Sequence, residues 1–274
     1  MLSFDQLTAS YFAYRSVLLL NSNRNEERST AFLLQLNNQL RVRIKHYIVT
    51  CAHSMRDIDD QNKNNVVNYS FIYFNGQSHH RFGLSPADIV TVWKNCDLIA
   101  LEIRESKVIE LKSIEHKPPI FLVPNLNSRI KDPIYMWQYP IHESNASSTE
   151  PAIDAPEKPK YAEGSIKRIS GVNHSQLIVE IASDKGSSGS PYLDRNGNVI
   201  GVHCKELQEE QNHNEDNSHQ TTKIGWNISV LVDIVQGNPL EGKFFNLNYH
   251  FRIILKIRGI IKFNLLLMKY LFQF

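Results

Sequence analysis

Short apolar runs of about four to six residues recur along most of the chain, separated by clusters of Asn, Asp, Gly and Pro. The runs are rich in Val, Ile, Tyr and Phe, a composition typical of β-strands bounded by turns. This spacing predicts an all-β sandwich or barrel, built once or twice. The predicted strands are Ser16–Leu20, Ala31–Leu36, Leu40–Ile44, Tyr47–Thr50, Ser70–Phe74, Ile89–Trp93, Leu98–Ile103, Ile120–Val123, Ile134–Gln138, Gly164–Ile169, Gln176–Ile181, Val199–His203 and Thr222–Trp226.

Four segments depart from this strand pattern. Leu111–Pro119, which is charged and ends in two prolines, is typical of a linker between two halves. Ser144–Tyr161 and Leu207–Gln220 are polar and predict long surface loops. In Asn227–Val235 the apolar residues recur at helical spacing, which predicts a short terminal helix.

Composition bears on the number of domains, the partners and the cellular location of the protein. A chain of 274 residues, 42% of them apolar, can form one large domain or two small ones. The formal charge of +2 gives no reason to expect a nucleic-acid partner. The three cysteines, Cys51, Cys96 and Cys204, cannot form a disulfide framework, and the first residues lack the pattern of a signal peptide. We therefore expect an intracellular protein.

The stretch from Asp184 to Pro191 is the best candidate for chemistry. It reads Asp-Lys-Gly-Ser-Ser-Gly-Ser-Pro, and its glycines allow a sharp turn that would hold the hydroxyl of Ser188 outward. The same turn would aim the amides of Gly186 and Ser188 at one point, as an oxyanion hole requires. A plain Gly/Ser hairpin turn is the other interpretation.

A base and a residue to orient it occur earlier in the chain. The apolar run from Tyr47 ends in Ala-His, which places His53 at the end of a strand, and Asp97 stands immediately before another apolar strand. Alone, His53 could be an ordinary surface or core histidine, and Asp97 a turn residue. Together with Ser188, in the order His, Asp, Ser, they suggest nucleophilic catalysis.

At these positions the chain resembles the trypsin-like (chymotrypsin-fold) serine proteases. Thr-Cys-Ala-His at His53 stands where the family has T-A-A-H, Asp-Leu-Ile-Ala-Leu at Asp97 where it has D-I-A-L-L, and Gly-Ser-Ser-Gly-Ser-Pro at Ser188 where it has G-D-S-G-G-P. The order of the three residues is also that of this family. The resemblance extends over residues 12 to about 238.

The resemblance implies two six-stranded antiparallel β-barrels with the active site in the cleft between them. We expect the N-terminal barrel in residues 12–112, the C-terminal barrel and terminal helix in 113–238, and an apolar, basic extension in 239–274. It also implies a peptide or protein substrate and a mechanism. Ser188 attacks the scissile carbonyl, His53 transfers the proton and Asp97 orients His53, while Gly186 and Ser188 form the oxyanion hole. The alternative is a catalytically silent protease fold that serves as a peptide-binding or scaffold module.

Two departures from digestive trypsins suggest a different branch of the family. Ser187 replaces the aspartate with which a newly cleaved amino terminus pairs, and no Ile-Val-Gly-Gly sequence is present, so no zymogen switch is expected. No cysteine follows His53, so the family's disulfide at the histidine is missing. The chain looks closer to glutamyl endopeptidases and HtrA-like enzymes.

The resemblance also suggests the residues of the S1 pocket, which are Ala182, Ser183 and His203. Ala182 offers no carboxylate, so a preference for Arg or Lys is disfavoured. The imidazole of His203 and the hydroxyl of Ser183 suit a Glu or Gln side chain. An apolar pocket for aromatic or aliphatic residues is the alternative. The acidic loop from Glu206 to Glu215 weakens the first option, because it would repel an acidic substrate.

No cofactor and no metal are expected, because the histidines lack metal-ligand spacing and no cysteine belongs to a CxxC pair. The tail Tyr249–Phe274 is apolar but interrupted by five basic residues. It could be an amphipathic segment on a membrane surface, a docking strand, or an extension added by gene prediction. The sequence does not indicate an oligomeric state.

Overall fold

The computed structural model describes residues 13–22, 28–38, 43–114, 117–140, 158–171, 174–206 and 222–235. The chain through Val232 forms one compact unit. A second unit begins at Asp233, and only the end of the terminal helix is described there. The predicted loop Leu207–Gln220, most of the loop Ser144–Tyr161 and the tail from 239 lie outside the described residues.

The first half of the chain forms one antiparallel sheet of seven strands, in the order β5-β4-β1-β2-β3-β7-β6. The resemblance predicts a closed barrel of six strands here, and this expectation differs from the structure. In the described part of the chain β5 and β6 are edge strands that do not pair with each other. The strands are β1 (Val17–Ser22), β2 (Arg28–Asn38), β3 (Arg43–Cys51), β4 (Tyr69–Phe74), β5 (His79–Gly83), β6 (Ile89–Asn95) and β7 (Leu98–Ile103).

Continuous apolar runs explain the centre of this sheet. Every residue of β4 and of β7 is buried, so these strands are covered on both faces. Aliphatic and aromatic side chains of these strands pack into one core, which includes Leu18, Ile48, Phe71, Ile99 and Leu101. Burial of this core fixes the register, because a shift by one residue would turn the apolar face to water.

The second half forms a closed antiparallel barrel of six strands, as the resemblance implies, in the order β10-β13-β12-β11-β8-β9. Apolar residues that include Ile134, Ile166, Leu177 and Tyr192 fill its interior. The strands are β8 (Pro133–Gln138), β9 (Lys160–Ser170), β10 (Gln176–Ile181), β11 (Pro191–Leu193), β12 (Val199–Glu206) and β13 (Thr222–Asn227).

Two α-helices lie entirely within the described residues. Helix α1 (Glu105–Lys112) follows β7, and only its last two residues overlap the predicted linker Leu111–Pro119. Helix α2 (Ile228–Val235) follows β13 and confirms the predicted terminal helix. Short 3₁₀ helices occupy Ala52–Met55, Lys63–Asn68 and Pro86–Asp88. Among the described residues, no helix has the length and apolar character needed to span a bilayer.

Candidate active site

His53 and Asp97 are in direct contact at one end of the first sheet. The ring Nδ1 of His53 lies 2.8 Å from Oδ2 of Asp97, and the main-chain amide of His53 donates to Oδ1 at 3.0 Å. A carboxylate can only accept, so the Nδ1 proton points at Asp97 and the neutral ring has Nε2 as its free acceptor. Both side chains are partly exposed. The pair therefore has the form of a general base with its orienting acid.

Strand pairing brings these two residues together. In the β3–β7 ladder Cys51 lies opposite Leu98, so the residues that follow Cys51 meet the residue before Leu98. The amide of Ala52 donates to the carbonyl of Asp97 at 2.8 Å. A 3₁₀ turn then carries His53 over the carboxylate. The sequence separation of 44 residues thus becomes direct contact between loops at the same end of adjacent strands.

Ser188 lies on a tight loop between β10 and β11 of the barrel. The amide of Ser187 donates to the carbonyl of Asp184 at 3.1 Å, and the amide of Ser190 donates to that of Ser187 at 2.9 Å. Gly186 and Gly189 have φ angles of +91° and +87°, in the region where a side chain is disfavoured. The glycines flanking Ser188 are therefore required by the shape of the loop.

The loop is packed against both sheets. On the barrel side, the amide of Gly189 donates to the carbonyl of His203, and the amide of His203 donates to that of Ser190, both at 2.8 Å. On the other side, a Cβ placed on Gly189 would lie 2.0 Å from the carbonyl oxygen of Thr30 and 2.3 Å from Oγ1 of Thr50. The serine loop thus lies against the end of β3, just before His53.

The hydroxyl of Ser188 donates to the carbonyl of Cys204 at 3.2 Å. In the described part of the chain, no hydrogen bond joins Ser188 to His53, and no carbonyl accepts from the amides of Gly186 and Ser188. Two unused amides on a turn can receive an anion. The structure therefore brings together the acid–base pair and places the serine loop beside it, with the hydroxyl turned toward Cys204.

Two cysteines lie under the site. The thiol of Cys51 is buried, donates to the carbonyl of His203 at 3.1 Å, and lies 3.4 Å from the sulfur of Cys204. Burial raises the pKa of Cys51 well above its usual range, and the contact with Cys204 adds to this effect. Cys51 is therefore a neutral thiol at physiological pH, and a neutral thiol is a poor nucleophile.

Among the described residues, one group of side chains has the composition of a metal site. Ligand atoms of Cys51, His53 and Asp97 lie within 4.8 Å of one another. Metal binding would need the thiolate of Cys51, which burial disfavours, and the Nδ1 atom of His53, which faces the carboxylate of Asp97. These residues fit a hydrogen-bonded acid–base pair better than a metal centre.

The three predicted pocket residues have different surroundings. Ala182 and Ser183 directly follow β10, with Ala182 exposed and Ser183 half-buried. His203, on β12, is only 3% exposed, and its Nδ1 lies 2.6 Å from the hydroxyl of Tyr192. Burial raises the pKa of Tyr192 well above its usual range, so its phenol stays protonated.

Sequence reasoning missed several residues that shape the site. Tyr192 contacts His203, and Gln138 accepts from the amide of Asp184 at 3.0 Å through its side-chain oxygen. Thr30, in the first sheet, donates hydrogen bonds to carbonyls of the serine loop. Tyr192 follows the proline of the serine motif and so could have been considered, whereas nothing in the sequence around Thr30 or Gln138 points to the loop.

Comparison with known proteins agrees with this architecture. The family described as the trypsin-like peptidase domain matches residues 30–202. A serine-to-alanine mutant of Rv3671c from M. tuberculosis, in an inactive form, is 14% identical, with a TM-score of 0.52 over 85% of this chain and 91% of that one. The Rv3671c protease in an inactive form is also 14% identical, with a TM-score of 0.50 over 83% of this chain and 90% of that one. None of the curated proteins matches.

At this identity the two Rv3671c structures show a shared fold and no more. The family match is stronger ground, because it covers more than half of the chain and includes His53, Asp97 and Ser188. The chain therefore belongs to the family of trypsin-like peptidase domains.

Proposed function

We propose that the protein is a serine endopeptidase that uses His53, Asp97 and Ser188. The observation that carries this proposal is the bonding of the Asp97 carboxylate to both the ring and the main-chain amide of His53, beside the docked Ser188 loop. The Asp97 carboxylate holds the proton of His53 on Nδ1, which leaves Nε2 to act as the base.

In the proposed reaction the hydroxyl of Ser188 rotates from the carbonyl of Cys204 toward Nε2 of His53 and attacks the scissile carbonyl. His53 takes the hydroxyl proton and then gives it to the leaving amine, and water repeats the cycle on the acyl-enzyme. Catalytic hydrogen bonds commonly tighten only when substrate binds, so the contact with Cys204 is compatible with this role. The amides of Gly186 and Ser188 stabilise the oxyanion.

The pocket beside the serine is proposed to accept Glu or Gln. In this proposal the protonated phenol of Tyr192 is the donor to Nδ1 of His203, and the imidazole proton lies on Nε2. The Nε2–H of His203 and the hydroxyl of Ser183 can then each donate a hydrogen bond to a carboxylate or amide oxygen of the substrate. Because His203 is almost fully buried, it would lie at the floor of the pocket. An apolar pocket that excludes His203 from the substrate is the competing hypothesis.

One observation favours a second candidate function. The hydroxyl of Ser188 is bonded to Cys204 rather than to His53, the arrangement expected if the fold binds peptides without cleaving them. The two candidates differ in whether Ser188 reacts with a substrate, so a kinetic experiment separates them.

The test is peptide hydrolysis by the full chain and two serine variants. Ser188→Ala should reduce hydrolysis to background, because it removes the nucleophile. Ser190→Ala is the matched control, since its hydroxyl is buried with no partner among the described residues. It should retain activity. Folded wild type without activity on a broad peptide library, or equal activity in Ser188→Ala, would reject the peptidase proposal.

Pocket preference needs a separate experiment. A peptide library that varies the P1 residue should show cleavage after Glu or Gln, and His203→Ala should reduce that cleavage more than cleavage after Leu or Phe. A profile dominated by Leu or Phe, unchanged by the substitution, would favour the apolar pocket and leave the triad proposal intact.

A further inference from the structure

Thr30 is a fully buried residue of the first sheet that is bonded to the serine loop of the barrel. Its main-chain amide donates to the carbonyl of Ser188 at 2.9 Å, and its hydroxyl donates to the carbonyl of Gly186 at 2.9 Å. The hydroxyl also accepts from the amide of Tyr139 at 3.1 Å, and the Thr30 carbonyl accepts from the hydroxyl of Thr50 at 2.7 Å. One residue therefore holds the carbonyls of both proposed oxyanion-hole residues.

The end of a strand pairing explains why Thr30 is available. The β2–β3 ladder ends at the pair Phe32 and Val49, so the edge of β2 at Thr30 has no ladder partner from β3. The Ser188 carbonyl takes the place of a strand partner for the Thr30 amide. The serine loop thus continues the hydrogen bonding of the first sheet although it belongs to the barrel.

The peptide unit between Gly186 and Ser187 is fixed at both ends. Its carbonyl accepts from the hydroxyl of Thr30, and its N–H donates to the carbonyl of Asp184 at 3.1 Å. Gly186 has a positive φ and no side chain, so its backbone would otherwise have the most freedom in the loop. The Thr30 hydroxyl therefore restrains the most permissive position of the proposed oxyanion hole.

The peptide unit between Ser188 and Gly189 is fixed in the same way. Its carbonyl accepts from the Thr30 amide, and its N–H donates to the carbonyl of His203 at 2.8 Å. The intervening unit, from Ser187 to Ser188, carries the amide of the nucleophile. It lies between two units that cannot turn without breaking two hydrogen bonds each, so its direction is preorganised.

We propose that Thr30 is a positioning residue for the oxyanion hole and that its hydroxyl acts through the carbonyl of Gly186. This inference rests on the proposed peptidase function. The hydroxyl bond is the part that depends on residue type, because any non-proline residue at position 30 would supply the amide.

The test compares two substitutions in the full chain. Thr30→Val keeps the shape, the β-branch and the main-chain amide but removes the hydroxyl. Thr30→Ser keeps the hydroxyl and removes only a methyl group. Urea unfolding and circular dichroism establish that each variant is folded before the kinetics are compared.

Four readouts follow. For Thr30→Val we expect kcat to fall by about 10-fold, less than the 10²–10³-fold loss when an oxyanion donor is removed outright. KM should stay within about twofold, and the affinity for a peptide boronate, a mimic of the tetrahedral intermediate, should fall with kcat. Amide hydrogen exchange in the segment 184–190 should become faster. Thr30→Ser should match the wild type within about threefold in every readout.

A purely structural role predicts a different result. In that case Thr30→Val lowers stability while kcat and boronate affinity per folded molecule stay unchanged, and this outcome overturns the inference. Equal losses in Thr30→Val and Thr30→Ser overturn it too, because they assign the effect to packing. An inactive wild type instead rejects the peptidase proposal, and hydrogen exchange then shows separately whether the hydroxyl restrains the loop.

Discussion

The first sheet and the barrel contribute different kinds of groups to the candidate site. The first sheet supplies side chains, the imidazole of His53 and the carboxylate of Asp97, positioned by the β3–β7 register. The barrel supplies the hydroxyl of Ser188 and, from the same glycine-rich loop, the main-chain amides of Gly186 and Ser188. Side chains of one sheet are set by their own strands, whereas the barrel's loop takes its shape partly from the other sheet. Each half on its own has an incomplete site.

The largest expected effect tests the side-chain contribution. Asp97→Asn keeps an oxygen for the His53 amide but can present an N–H to Nδ1, which favours the wrong tautomer of the ring. We expect kcat to fall by about 10⁴-fold, as in the template triad of this family, with little change in folding. Steady-state peptide hydrolysis and urea unfolding measure the two effects. Wild-type turnover in this variant would show that Asp97 does not orient the base.

The next effect tests how the barrel's loop is packed on the first sheet. Gly189→Ala would place a Cβ 2.0 Å from the carbonyl oxygen of Thr30 at a φ of +87°. We expect a loss of more than about 4 kcal/mol in the free energy of unfolding, or no folded protein. Gly83→Ala is the matched control, with no atom within 4 Å of the added Cβ. It should change stability by no more than about 0.5 kcal/mol. Similar urea midpoints for the two variants would mean that the loop is not packed this way.

A smaller effect tests side chains inside the barrel. Tyr192→Phe removes the hydroxyl that contacts Nδ1 of His203 in a buried setting. We expect stability to fall by about 1–3 kcal/mol, because a buried polar atom loses its partner. If His203 reads the substrate, cleavage after Glu or Gln should weaken relative to cleavage after Leu. An unchanged P1 profile would show that the Tyr192 hydroxyl does not set the preference.

The smallest effect tests the other end of β3, which should matter for stability and not for catalysis. Burial lowers the pKa of His46, helped by Lys112 and opposed by Glu105, whose carboxylate lies 3.8 Å away. The unfolded chain binds a proton at His46 more readily than the folded chain does. Protonation of His46 therefore does not destabilise the fold above about pH 6.5, and stability is lost as the pH falls from there through the lowered folded pKa.

His46→Gln removes this titration. Between pH 7 and 5 the wild type should lose more stability than the variant, as measured by urea unfolding at each pH. The value of kcat should be the same for both. A parallel pH dependence in wild type and variant would show that His46 does not titrate as described.

The fold could be predicted in part from apolar runs. Strands such as β4 and β7 are buried along their whole length and are read directly from the sequence. Strand β5, His-His-Arg-Phe-Gly, was missed because it carries little apolar signal, and β11 because it has only three residues and begins with proline. Ile120–Val123 was predicted as a strand but forms only an isolated bridge at Leu122. Closure of a sheet depends on contacts between distant edges, which no local pattern encodes.

The candidate site divides in the same way. His53, Asp97 and Ser188 stand in recognisable short motifs, so the sequence alone predicts which residues form the candidate site. The hydroxyl of Thr30 donates to the main-chain carbonyl of Gly186, which is 156 residues away in sequence. Any residue can offer a carbonyl, so such contacts leave no signature in the sequence.

Labelling with a fluorophosphonate probe tests the central claim most directly, because the probe reacts with an activated serine. The wild type should take up one phosphonyl group, located by peptide mass spectrometry on Ser188. Uptake should be lost in Ser188→Ala, strongly slowed in His53→Ala, and retained in Ser190→Ala. Folded wild type that takes up no probe, or takes it up at another residue, would contradict the account.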